Sequence, residues 1–154
     1  MKKVEKIIAP TDLSELSRVG LEYALELGRG WGAAVTVYHV ANAAELASYK
    51  AHSIEDLLSK HQETLGRFLN ENFAELLSLV EVRQKVEIGS PATNIVDEAK
   101  REQSDLIVMS THGRTGLAHV LMGSVTEQVV RNASCPVFSV HPPKSLKDAN
   151  PSLK

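Results

Sequence analysis

The stretch Asp105-Leu106-Ile107-Val108-Met109-Ser110 places four apolar residues in a row between polar ends. A short apolar run of this kind is typical of a central strand in a parallel sheet, buried on both faces. A glycine-containing stretch follows, from Thr111 to Gly123, and a helical pattern then begins at Ser124 and reaches about Ala133. The succession of strand, glycine loop and helix indicates an α/β fold.

Strand and helix patterns alternate along the rest of the chain. The predicted strands are residues 4–10, 33–40, 80–88, 105–110 and 136–140. Helices are predicted from Ser14 to the glycines at 30 and 32, over residues 54–77 and 91–103, and from Ser124. Residues 42–53 fit either a loop or a short helix. Charged residues alternate with apolar ones in 80–88, so this strand is expected toward an edge. Five strands joined by helical crossovers predict a single-domain parallel sheet, order 3-2-1-4-5, with helices on both faces.

Length, charge and hydropathy limit the class of protein. The 154 residues suffice for one domain, expected at 1–143, followed by a disordered polar tail at 144–154. A net charge of −2 argues against a broad basic face for nucleic acid but is compatible with a small anion pocket. No apolar run approaches the roughly 20 residues of a membrane span. The polar start and the single cysteine favour a cytoplasmic protein.

Two loops are the candidates for chemistry. In a doubly wound sheet, ligands bind at the carboxyl ends of the strands where the crossover direction reverses. The loops concerned are Pro10-Thr11-Asp12 and residues 110–123, whose glycines allow backbone N–H groups to approach a phosphate. Gly123, where we expect a positive φ, opens a helix whose N-terminus attracts anions, and the hydroxyls of Ser124 and Thr126 are candidate donors. Neither G-x-x-x-x-G-K-[ST] nor G-x-G-x-x-G occurs in the sequence.

Several blocks of residues resemble the universal stress proteins. The resemblance covers about residues 3–141. Its blocks are Ile7-Ile8-Ala9-Pro10-Thr11-Asp12-Leu13-Ser14, Asp105-Leu106-Ile107-Val108-Met109, Thr111-His112-Gly113-Arg114-Thr115-Gly116, Gly123-Ser124-Val125 and Cys135-Pro136-Val137. The ATP-binding branch of that family carries G-x-x-G-x₉-G-[ST]. Here Gly113 and Gly123-Ser124 match the pattern, and Ser110 stands where the pattern has its first glycine.

The resemblance implies a Rossmann-like fold of the adenine nucleotide alpha hydrolase type that binds ATP, with Mg²⁺ or Mn²⁺ held by the phosphates. It places Asp12, on the same loop as Pro10 and Thr11, at the ribose or adenine side. Backbone groups of Val40 are implied at the adenine edge. Met109 and Ser110 would flank the sugar. The residues implied around the phosphates are His112, Gly113, Gly123, Ser124, Val125 and Thr126. The resemblance further implies a homodimer paired through the last strand, Val137–Val140.

Three functions remain open from the sequence. The favoured one is a regulatory ATP-binding module, with residues 42–53 as a mobile cover. A slow ATP hydrolase using the same pocket is the second; Arg114 and Asp12 are its candidates, but no motif assigns either a catalytic role. A nucleotide-free structural dimer is the third, and Ser110 is its chief hint.

Structural roles compete with functional ones at several positions. Asp12 and Glu15 have the spacing of a capping box, and the glycine stretch could be a flexible connection. His112 and His119 are too few for a metal site, and no metal ligands are predicted.

The remaining singled-out residues are expected to be structural. His39 and His61 fall on patterns that bury them with hydrogen-bond partners. Cys135 is expected to be a buried, inert thiol, and Trp31 a packing residue.

Overall fold

A computed structural model of the chain describes residues 1–48, 53–113 and 122–143. Strands and helices alternate through these residues. Their bounds are β1 Lys6–Pro10, α1 Glu15–Trp31, β2 Ala34–Asn42, α2 Glu45–Ser48, α3 Ile54–Leu77, β3 Val82–Gly89, α4 Pro91–Arg101, β4 Leu106–Ser110, α5 Ser124–Asn132 and β5 Val137–Val140. The predicted tail, residues 144–154, lies outside the described residues.

These strands form one parallel sheet in the order β3-β2-β1-β4-β5, which confirms the predicted order. Ile8 of β1 pairs with Thr36 of β2 on one side and with Ile107 of β4 on the other. The chain leaves β1 toward one edge of the sheet and later adds β4 and β5 on the other side. The crossover direction therefore reverses between β1 and β4, and their carboxyl ends lie side by side.

Helices cover both faces of the sheet. Leu25 of α1 and Leu69 of α3 belong to the core on one face, whereas Ile95 of α4 and Val129 of α5 belong to the core on the other. All residues of β4 are buried, but in β3 only Val86 is, since β3 lies at an edge. The predicted central and edge strands are both confirmed.

The strand β2 continues beyond its predicted end. It runs to Asn42 because it pairs with β3 as far as Gly89. Part of the ambiguous segment forms α2, while residues 49–52 lie outside the described residues. No helix in the described part of the chain is long and apolar enough to cross a membrane.

The start of α1 is fixed by Ser14, whose side chain accepts a hydrogen bond from the backbone N–H of Ser17. Asp12 is not the cap, although its spacing to Glu15 allowed that role. Its carboxylate instead accepts hydrogen bonds from the backbone N–H of Ser14 at 3.0 Å and from the Ser14 hydroxyl at 2.5 Å. Asp12 thus orients the residue that caps the helix.

The end of α1 shows that the expectation for Trp31 was wrong. Gly28 occupies the inward position of the last turn, where a Cβ would lie 2.5 Å from a methyl carbon of Val35. Trp31, on the flank of the helix, is 47% exposed. Gly32 then ends the helix at φ +64°, whereas Gly30 lies within it.

A close contact joins α1 to β4. A Cβ on Gly20 would lie 2.5 Å from the backbone nitrogen of Ser110 and 2.8 Å from the carbonyl carbon of Met109. Helix and strand can approach this closely only because residue 20 has no side chain.

We therefore predict that Gly20→Ala lowers the free energy of unfolding by about 2 kcal/mol, because the added carbon overlaps backbone atoms that cannot rotate away. Gly30→Ala is the matched control in the same helix, since no atom lies within 4 Å of its Cβ position. It should instead raise stability by about 0.5 kcal/mol. Urea unfolding measures both; equal effects of the two substitutions would contradict the close contact.

Candidate functional site

One cavity opens at the carboxyl ends of β1, β2 and β4 and at the N-terminus of α5. Its volume is about 290 Å³, near the lower end of the roughly 300–1,000 Å³ of ligand pockets. All the site residues predicted from the sequence line it: Pro10, Thr11, Asp12, Val40, Met109, Ser110, His112, Gly113, Gly123, Ser124, Val125 and Thr126. Arg114 and His119 lie outside the described residues.

The loop after β1 is held by its own side chains. The Thr11 hydroxyl accepts from the backbone N–H of Leu13 at 3.0 Å and bonds the Ser17 hydroxyl at 2.8 Å. Leu13 has φ +65°, a left-handed conformation that is uncommon for a branched residue. These bonds hold the turn in a conformation that brings Asp12 to the cavity.

The two predicted loops meet at Asp12 and Gly113. A Cβ on Gly113 would overlap a carboxylate oxygen of Asp12, so any other residue at 113 would push the loops apart. The other carboxylate oxygen is the one that accepts from Ser14. The close approach explains why a glycine is needed at 113, independently of its φ.

Ser110 directs its hydroxyl at α1. The hydroxyl donates to the backbone carbonyl of Leu16 at 2.7 Å and accepts from the backbone N–H of Gly20 at 2.9 Å. Because the side chain is committed to these bonds and is buried, Ser110 faces the cavity with its backbone. The serine therefore leaves the space that a ligand would occupy clear.

Gly123 departs from the expected conformation. Its φ is −67°, so the prediction of a positive φ is wrong. The constraint is instead steric: its N–H donates to the Thr111 carbonyl at 2.6 Å, and a Cβ would lie 3.0 Å from that same oxygen. As the N-cap residue, Gly123 begins α5 without a side-chain hydrogen bond to the first turn. The N–H groups of that turn therefore lie beside the cavity.

The two hydroxyls predicted at the start of α5 differ in role. Thr126 is buried and donates its hydroxyl proton to the carbonyl of Ser110 at 2.9 Å, so this proton is directed at the chain rather than at the cavity, and the contact of Thr126 with a ligand stays a prediction. The bond ties α5 to the end of β4. Ser124 is exposed at the cavity mouth, so its hydroxyl can reach a ligand.

Six lining residues were missed by the sequence analysis: Ser17, Tyr38, His39, Asn42, Pro91 and Ile95. Most belong to β2 or to the start of α4. The turn at Gly89-Ser90-Pro91 was the signal in the sequence that could have found Pro91 and Ile95. This turn follows the carboxyl end of β3, and the carboxyl ends of parallel strands all lie at the same end of the sheet. Pro91 and Ile95 give this side of the cavity an apolar wall.

Tyr38 anchors the apolar side through a polar network. Its buried hydroxyl donates to Glu87 at 2.6 Å. Burial first, and then this bond, raise the pKa of Tyr38 above its ordinary value. Burial would raise the pKa of Glu87, yet hydrogen bonds from Tyr38 and Arg101 bring it below its usual value. Arg101 also pairs with the fully buried Glu98.

His39 and His61 have hydrogen-bond partners, as expected, whereas Cys135, expected to be buried, is only partly buried. His39 Nδ1 lies 2.9 Å from the Thr11 carbonyl, so it carries a proton, and His39 Nε2 lies 2.9 Å from His61 Nδ1. Burial raises the pKa of Cys135, with a smaller contribution from the Asp105 charge, which keeps the thiol protonated. Among the described residues, no three His, Cys, Asp or Glu side chains gather as a metal site.

Comparison with known proteins identifies relatives over nearly the whole chain. The model of the universal stress protein family matches residues 3–141. Universal stress protein MJ0531 of Methanocaldococcus jannaschii is 33% identical over 142 residues, which cover 91% of this chain and 84% of that protein. These matches confirm the resemblance drawn from the motifs.

Solved structures share the fold. Hypothetical protein MJ0577, whose curated sequence is from the same archaeon, has a TM-score of 0.72 at 27% identity, covering 92% of this chain and 99% of that one. A universal stress protein family protein from Arabidopsis thaliana, solved with AMP bound, has a TM-score of 0.61 at 21% identity, covering 96% and 99%.

The different roles of the two α5 hydroxyls are testable without a ligand. Thr126→Val keeps the shape of the side chain but leaves the Ser110 carbonyl without its donor, which should lower the free energy of unfolding by about 1 kcal/mol. Ser124→Ala, two residues earlier and exposed, should change it by less than about 0.5 kcal/mol. Thermal or urea unfolding decides; a Thr126→Val protein as stable as the parent would contradict the assignment.

Proposed function

Because the chain belongs to the universal stress protein family, we propose that it binds ATP in this cavity and acts as a homodimeric regulatory module. Its role is to change conformation or surface on binding rather than to turn the nucleotide over. The single cysteine is a free thiol, as is usual in a reducing compartment, and supports a cytoplasmic setting for the module.

The observation that carries the proposal is the convergence of the β1 loop, the β4 end and the α5 N-terminus on one cavity. Two of the glycines there, Gly113 and Gly123, stand at positions where a Cβ would meet other atoms of the site. Because glycine has no side chain, backbone atoms form this part of the cavity wall. Backbone N–H groups donate hydrogen bonds to phosphates. The first turn of α5 adds the positive end of its dipole.

The opposite side of the cavity suits an adenosine. Val40 lies in the buried part of β2 and lines the cavity, while Pro91 and Ile95 provide apolar contact for a flat base. Asp12 lines the cavity beside Gly113, and we assign it to the ribose that joins base to phosphate. The AMP-bound Arabidopsis relative has the same fold, which supports an adenine nucleotide as the ligand. A Mg²⁺ or Mn²⁺ ion would be held by the phosphates of bound ATP.

The lining supports binding rather than hydrolysis. Among the described residues around the cavity, Asp12 is the one carboxylate, and one of its oxygens already accepts two hydrogen bonds from Ser14. That oxygen is poorly suited to take a proton from an attacking water.

We predict that ATP binds the nucleotide-stripped protein in isothermal titration, and that Gly123→Val lowers the affinity at least tenfold. The valine side chain would be forced against the Thr111 carbonyl and into the phosphate end of the cavity. Gly30→Val, at an exposed position with open space around it, should bind like the parent. An unchanged affinity in Gly123→Val would count against the cavity as the ATP site. Single-turnover phosphate release that Gly123→Val abolishes would show that the cavity hydrolyses ATP.

The edge strand β5 is the proposed contact with a second copy. It is the last strand of the sheet, so one side of its backbone has no neighbouring strand among the described residues. Phe138 on β5 is 43% exposed and contacts the exposed Tyr23, with ring centroids 6.1 Å apart. Unpaired backbone beside exposed aromatic rings is the surface that a second identical strand would cover.

Replacing Phe138 should separate the copies. We predict that Phe138→Lys gives monomers in light scattering, because two like charges would face each other across the twofold contact. Leu79→Lys is the control: Leu79 is also exposed but follows α3, remote from β5. If Phe138→Lys remains a dimer, the contact between the copies does not lie at β5. If Leu79→Lys becomes a monomer, the contact likewise lies elsewhere.

A further inference from the structure

Leu13, between β1 and α1, has a backbone conformation that its residue type rarely adopts. Its φ of +65° lies in the left-handed region, where a branched side chain costs free energy. Gln103 is the other non-glycine residue with a positive φ in the described part of the chain, and it follows the end of α4. Leu13 instead lies between Asp12, which lines the cavity, and Ser14, which caps α1. The function proposed above assigns no role to Leu13.

The residues on both sides of Leu13 are held by hydrogen bonds. The Thr11 N–H donates to the carbonyl of Tyr38 on β2 at 2.9 Å, and the Thr11 hydroxyl accepts from the N–H of Leu13 at 3.0 Å. On the other side, Ser14 is extended and begins α1 as its cap. The chain must therefore turn from the strand into the helix at Asp12 and Leu13, and Leu13 takes the left-handed conformation.

The turn at Leu13 determines where the Asp12 carboxylate lies. One carboxylate oxygen accepts from the N–H and the hydroxyl of Ser14, and the other lies against Gly113. A negative φ at residue 13 would move Ser14 relative to Asp12, so these contacts could not all be kept. The Leu13 side chain packs against the core shared by α1 and α3 and is not part of the cavity wall. Leu13 can therefore act on the cavity through its backbone.

We propose that Leu13 is a positioning residue for the nucleotide: its left-handed backbone aims the Asp12 carboxylate at the cavity before the ligand arrives. The packing of the leucine side chain and the hydrogen bond to Thr11 offset the strain. A carboxylate already in place needs no ordering when the ligand binds, so affinity depends on the fraction of molecules with this turn. The effect on affinity rests on the proposed ATP binding; the conformation of the turn does not.

The first test needs no nucleotide. Leu13→Gly can adopt a positive φ at little cost, whereas the β-branched side chain of Leu13→Val opposes it. Backbone NMR chemical shifts of residues 11–14, corrected for residue type, report the sign of φ at residue 13. We expect the positive φ to persist in Leu13→Gly and to be lost in Leu13→Val. A left-handed turn in both variants, or in neither, would overturn the proposal.

The second test compares ATP affinity among variants that separate backbone preference from apolar character. Glycine and asparagine tolerate a left-handed backbone, whereas valine and threonine oppose it. We expect Leu13→Gly and Leu13→Asn to bind ATP about tenfold more tightly than Leu13→Val and Leu13→Thr, because strain at one residue is of that size. If Leu13 acted by packing alone, Leu13→Val would bind most tightly of the four, since it keeps the most apolar side chain. That order, or equal affinities, would overturn the proposal.

Two controls show whether the effect passes through Asp12. Gln103 has a φ of +54° beyond the end of α4 and does not line the cavity, so Gln103→Gly and Gln103→Val should bind ATP within about twofold of each other. In an Asp12→Ala background, Leu13→Gly and Leu13→Val should also agree within about twofold, because the carboxylate that residue 13 positions is gone. An undiminished difference in that background, or the same difference at residue 103, would overturn the proposal.

The two proposals fail in different ways. If ATP does not bind the parent protein, the proposed function fails, yet the NMR comparison still tests the turn at residue 13. If ATP binds but the four variants follow their apolar character, the positioning role of Leu13 fails alone.

Discussion

The contact between α1 and β4 determines where everything else at the site can lie. Gly20 lets the helix approach the strand until Ser110 reaches the backbone of the helix, donating to Leu16 and accepting from Gly20 itself. These two hydrogen bonds are buried and join the short side chain of Ser110 directly to the backbone of α1. They therefore fix the position of β4 relative to α1. The residues that follow β4 therefore leave the sheet at a fixed position, beside the loop that follows β1. The cavity is the space left between these two loops.

This contact also gives the departure at Ser110 a physical meaning. The pattern of the ATP-binding branch has glycine there, and the serine suggested a nucleotide-free dimer. In the structure, the side chain of Ser110 lies on the side of β4 that faces α1, where its hydroxyl forms two hydrogen bonds with the helix backbone. A side chain that points away from a ligand does not compete with it. The substitution is therefore compatible with binding, and its effect falls on the packing of α1.

Sequence patterns predicted the strand order because order follows from coarse features: apolar runs, crossover lengths and the reversal between the first and fourth strands. They also predicted which loops face the cavity, and the site residues that the family resemblance implied line it as well. They failed where a side chain has several partners within reach. Nothing in the sequence shows that Thr126 bonds the Ser110 carbonyl, or that Gly123 is needed for closeness to Thr111 rather than for its φ. Asn42 was missed because β2 runs further than its pattern indicates.

The proposed anion site has no lysine or arginine among its described residues, so the proposal depends on backbone and helix dipoles, which act only when they are held in place. Here the hold comes from hydrogen bonds within the chain: Thr126 ties α5 to the end of β4, and the carbonyl of Thr111 accepts from Gly123 at the helix start. Thr111 also bonds Val140 of β5. A displacement of β5 would therefore act on the same residue that holds the start of α5. The sheet edge proposed to meet a second copy and the cavity proposed to hold phosphate thus share one small, buried threonine.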